Sequence, residues 1–199
     1  MKTLLAAILG GAIVFAWGAV SWMALGWHAP TLKAFANEDQ VTQVLVDNAP
    51  MSGIYVLPKP QSPATVAADT SVDAAPAPAR SAPFAFVAFT REGIDPQMTM
   101  QMVYAILSNI IAALLVAWLV RAADGLGYFQ RVLFIATVGI VIAVAGRATN
   151  WIWWHFSTDF MVVDLADVVI GWALAALVMA ALTGEERHRL GSSYRRLRA

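Results

Sequence analysis

Apolar positions fall into four long blocks, broken by short polar interruptions and one long mixed stretch. Residues 3–27 hold no charge; as a helix these 25 positions extend about 37 Å, enough to cross a bilayer core of about 30 Å. Lys2 ahead of them resembles the basic start of a secretory signal, yet the uncharged run exceeds the usual signal core of about 7–15 residues and reads as a retained anchor. A second uncharged run lies between Asp95 and Arg121, where Asp95-Pro96 predicts an N-cap followed by proline at the first helical position. The third and fourth runs hold 15 residues between Arg131 and Arg147 and 17 between Asp167 and Glu185. Both fall short of the roughly 20 residues a span needs, so Arg147, Asp164 and Asp167 are expected at the hydrocarbon edge or within it, facing protein.

The mixed stretch between the first two spans has its own pattern. Asn37-Glu38-Asp39-Gln40 ahead of Val41, Val44 and Leu45 predicts a short amphipathic helix ending near Asn48. Residues 53–57 and 84–89 predict two strands, which should pair with each other because two strands alone are marginal in water. Six of the nine prolines fall within 58–83, amid alanine, serine and threonine, so that stretch reads as an extended loop.

The expected fold class is therefore mainly α and integral to a membrane: four transmembrane helices with a small outer helix-plus-two-strand module between spans 1 and 2. Its parts are span 1 over 1–27, the outer α+β module over 28–95, span 2 over 96–122 and span 3 over 127–150. An outer tryptophan-rich loop over 151–161, span 4 over 162–184 and a basic tail over 185–199 complete it. Composition agrees: 59% hydrophobic and 13% charged residues, against roughly 45–50% and about 25% in soluble domains. The absence of cysteine excludes disulfides, thiolate metal sites, iron–sulfur clusters and thiol relays. A net charge of zero argues against nucleic acid as a partner. Placing Lys2, Arg121, Arg131 and the five arginines of the tail on the inner side satisfies the positive-inside rule, with both termini cytoplasmic and 28–95 periplasmic. Ten arginines against three lysines, with abundant alanine, suggest a GC-rich bacterial genome and hence a bacterial inner membrane.

Three groups of residues could carry chemistry. Arg147, Asp164 and Asp167 lie at matching depths on spans 3 and 4 and are expected to form a structural ion pair between them. An ion path is the alternative, but no further acid lies deeper in the spans. His28 and His155 fall on the same outer side and could jointly hold a haem iron, a metal or a quinone head, although interfacial histidines need no ligand. Trp22, Trp27, Trp151, Trp153 and Trp154 map to the outer interface and read as an aromatic belt. The pairs Ala6/Gly10 and Ala7/Gly11 on span 1, and Gln101, Ala105, Ser108 and Ala112 with Asn109 on span 2, mark faces suited to close helix packing.

No nucleophile–base pair, phosphate loop or metal-binding motif stands out in the sequence, and no cofactor is expected. The functional expectation is a non-enzymatic structural or accessory subunit of a larger membrane complex, with the bilayer and membrane proteins or further copies of itself as partners. A redox protein using His28 and His155 is the alternative, and a small transporter or lipid-handling protein around Arg147 and Asp167 comes third.

Overall fold

The computed structural model describes residues 1–59 and 83–184. They form two compact units, one of Met1–Lys33 with the chain from Met98 onward, the other of Ala34–Gln97. The first unit contains α1 (Lys2–Met23), a 3-10 turn (Ala29–Thr31), α3 (Thr99–Ala122), α4 (Tyr128–Trp154) and α5 (Thr158–Leu182); the second contains α2 (Glu38–Asn48), β1 (Gly53–Leu57) and β2 (Ala85–Phe89). Among the described residues, α1, α3, α4 and α5 are the four helices long and apolar enough to cross a membrane. The chain is a mainly helical protein compatible with multi-pass insertion.

Helix boundaries depart from the sequence expectation at each end where the backbone turns. α1 stops at Met23, because Gly26 takes a left-handed conformation (φ 65°) that sends Trp27 and His28 back over the helix end. The module expected over 28–95 accordingly begins later, and His28 belongs with the helices. α3 starts at Thr99, not at Pro96: Asp95 accepts from the Gln97 amide at 3.0 Å, closing a local turn, and Met98 precedes the helix with φ 50°. α4 continues through Trp154, so Trp151, Trp153 and Trp154 are helical and the expected 151–161 loop shrinks to His155, Phe156 and Ser157. α5 starts at Thr158, four residues before 162, with extended Ser157 at its N-cap. The expected loop over 58–83 lies almost wholly, and the tail over 185–199 wholly, outside the described residues.

α1 is the hub of the helical unit. It packs on both α3 and α5, and α5 packs on α4, whereas α3 and α4 barely touch despite being consecutive. The core is built from small side chains, with Ala6, Ala7, Ala113, Ala117, Ala175, Ala176 and Ala180 buried around Ile135, Trp172 and Met179. Small residues suit an apolar solvent, where burial of bulk supplies little drive and close backbone approach supplies the dispersion contacts. Gly11 lies directly against a neighbouring backbone: a Cβ there would lie 2.6 Å from both the Cα and the N of Ile110 on α3. The small-residue face of α1 is thus used inside the bundle.

In the second unit Asn37 caps α2 by accepting from the Gln40 amide at 2.9 Å, as the Asn-Glu-Asp-Gln pattern predicts. β1 and β2 pair antiparallel, with Gly53 opposite Phe89 and Leu57 opposite Ala85. Arg91 ties helix to hairpin: its Nη1 donates to the carbonyls of Val46 and Ala49, both at 2.8 Å, satisfying groups the C-terminus of α2 leaves open. Arg91→Ala should cost this unit about 1–2 kcal/mol and speed amide exchange at the end of α2 and along both strands. Unchanged exchange would show that the tie is dispensable.

Beside Arg91, Ser52 Oγ accepts from its amide and donates to the Glu92 carboxylate. That hydrogen bond, with a smaller backbone contribution, holds the Glu92 carboxyl below its ordinary value of 4.5. A lowered acid contributes stability above its ordinary value and loses it as pH falls through the lowered midpoint. Ser52→Ala should raise the Glu92 midpoint toward 4.5 in a carbon-13 NMR titration; an unmoved midpoint would assign the shift elsewhere.

Candidate functional site

Where α1 ends and the chain turns at Gly26, three side chains from distant positions converge. His28 is 2% exposed, with Nε2 2.9 Å from Ser21 Oγ and 3.4 Å from Asp167 Oδ2 on α5. Trp27 Nε1 donates to Ser21 Oγ at 2.7 Å, and Trp17 Nε1 donates to the backbone carbonyl of Asp167 at 3.0 Å. Trp22 stacks on the imidazole at 3.9 Å and 9°, and Trp27 meets it edge-on at 5.8 Å. The turn is fixed by Thr31 Oγ1, which donates to the His28 carbonyl at 2.7 Å. A polar pin thereby fastens the end of α1 to the middle of α5.

Serine, histidine and aspartate suggest nucleophilic catalysis, but the geometry does not provide it. A proton relay needs the serine on one ring nitrogen and the carboxylate on the other. Here both approach Nε2, while Nδ1 is buried without a hydrogen-bond partner, and Ser21 is fully buried. An N–H at Nδ1 would be an unsatisfied donor, so the favoured tautomer carries its proton on Nε2, directed at Asp167 and Ser21.

Arg147 reaches a different acid. Its Nη1 lies 3.7 Å from Asp164 Oδ1, with the guanidinium 48% and the carboxylate 13% exposed. Asp167, expected with Arg147, instead faces His28 through Oδ2, and its Oδ1 is buried without a partner. The two contacts lie one helical turn apart on α5, which is why depth alone did not separate them. His155, expected beside His28, is exposed and ends α4 in a left-handed conformation (φ 55°). Trp22, Trp151 and Trp153 are 49%, 48% and 69% exposed, while Trp27 and Trp154 are half-buried.

Beneath the pin lies a cavity of about 350 Å³ lined from all four long helices. α1 contributes Val14, Trp17 and Gly18, α3 Ser108, Asn109 and Ala112, α4 Ile142 and Arg147, and α5 Asp167, Val168 and Trp172. The helix order fits it: α3 and α4 pack only sparsely on each other, which leaves space between them. A larger space of about 470 Å³ lies at the opposite end, under the turn joining α3 to α4. Its central cation is already engaged, with Arg131 donating to the carbonyls of Leu126 and Ala180 at 2.6 and 2.9 Å. Among the described residues, no cluster of three or more histidine, aspartate or glutamate side chains is arranged to hold a metal.

Sequence reasoning missed the Ser21–His28–Asp167 association. Its available signal was a second acid, Asp167, one turn beyond Asp164 with a single arginine to share, so that one of the two needed another partner. Comparison with protein-family models, with curated proteins and with solved structures returns no match.

Proposed function

We propose that the chain is a non-catalytic, multi-pass component of a larger assembly in a bacterial inner membrane. Both termini are cytoplasmic in this reading, and the α+β unit lies in the periplasm and docks on a partner protein. The observation carrying it is the exposure of large apolar side chains among that unit's described residues. Phe35, Met51, Ile54, Leu57 and Ile94 are each more than 60% exposed, and among its described residues only Ala49 is buried. Among the described residues the sheet has two strands, which gain little stability alone, and large exposed apolar side chains on a water-facing unit suit an interaction surface. The charge pattern supports the orientation, with arginines at the inner turn and tail.

Joint haem, metal or quinone binding by His28 and His155 has less support. The His28 ring is enclosed by Trp22 and Trp27, with Nε2 already engaged, whereas His155 is exposed.

A photo-crosslinking residue at Ile54, and separately at Phe35, tests the docking in living cells. A discrete adduct with one other protein is expected at one or both positions. Adducts with lipid alone, with a second copy alone, or with nothing at either position would overturn the reading.

A further inference from the structure

We propose that the cavity between the four long helices binds the head of an uncharged amphiphile, one that carries a hydroxyl donor and an oxygen acceptor on an apolar tail. This goes beyond the assembly role and does not depend on it. The volume, about 350 Å³, sits at the low end of the roughly 300–1,000 Å³ found for ligand pockets, so a small head fits and a whole lipid does not. The tail has a way out, because α3 and α4 barely touch and both line the cavity.

The wall chemistry selects the head. Asp167 lines the cavity with a side chain that is 13% exposed, a carboxylate able to accept from a ligand hydroxyl. Asn109 lines the cavity from α3 with a carboxamide that can donate to a ligand oxygen, and Ser108, whose hydroxyl donates back to the Ala105 carbonyl at 2.9 Å, keeps lone pairs free. Arg147 is held by Asp164 at 3.7 Å through one nitrogen, leaving other guanidinium donors for the same oxygen. Charge excludes the ionic alternatives: a phosphate would sit against Asp167, and a cation against Arg147. Trp17 and Trp172 supply flat apolar walls suited to a ring or a short chain. A quinol and a diacylglycerol share this chemistry.

The full chain in detergent micelles is titrated with a short-tailed benzoquinol, with dioctanoylglycerol and with dioctanoyl phosphatidylglycerol, following thermal stabilisation. Saturable binding of at least one neutral probe is expected, weakened about tenfold in Asn109→Leu, whose unliganded melting should match the parent. Should that variant not fold, Ser108→Leu on the same wall takes its place. Which neutral probe binds identifies the source of the head. Equal or tighter binding of phosphatidylglycerol, undiminished binding by the folded variant, or no saturable binding of either neutral probe would each overturn the proposal.

Discussion

His28→Ala should destabilise the helical unit by about 3 kcal/mol, the largest effect expected of any single side-chain truncation here. Three losses combine. The imidazole leaves Asp167 Oδ2 and Ser21 Oγ without the group that now lies 3.4 and 2.9 Å away, and an abandoned buried polar group costs about 1–3 kcal/mol. Trp22 loses its stacked partner, and a ring that is 98% enclosed leaves a void. His28→Phe restores the packing but not the hydrogen bonds, and should recover about half of the loss. In a double-mutant cycle, His28→Ala and Asp167→Asn should couple by about 1 kcal/mol or more, because they touch. Unfolding in mixed detergent micelles measures all three; full stability in His28→Ala would show that the pin holds nothing.

Gly11→Ala should cost about 1–3 kcal/mol through the backbone it would strike. An added methyl lands 2.6 Å from Ile110 main-chain atoms, which cannot rotate away as a side chain can, so α1 and α3 must separate. Gly18→Ala on the same helix is the control, since a Cβ there meets nothing within 4 Å. That variant should be neutral or slightly stabilising, because alanine favours helix over glycine by up to about 1 kcal/mol. Similar behaviour of the two variants would mean that α1 and α3 do not cross closely at Gly11.

The first two long helices were legible because their uncharged runs hold 25 residues each, and the shorter third and fourth runs reach spanning length once Arg147, Asp164 and Asp167 are taken into the helices. The α2 cap and the two strands were legible too, since Asn37 and the short β-rich runs act locally. Helix ends were less so. Gly26 and Met98 turn the chain in left-handed conformations, and the Asp95-Pro96 pair closes a turn rather than opening a helix. The site was hardest. Arg147 and the two aspartates were visible as charges needing partners, but choosing between Asp164 and Asp167 depends on helix rotation, which periodicity leaves loose. His28 turned inward because of the Gly26 bend, a tertiary event with no periodic signature.

The proposed assembly role is tested most directly by extracting the tagged protein from its native membrane in mild detergent and measuring its mass and composition together. Co-migration with one or more other membrane proteins in fixed ratio is expected, and it should be lost when residues 34–97 are replaced by a flexible linker. A single monodisperse species with the mass of one chain, 21.4 kDa plus detergent, would contradict it.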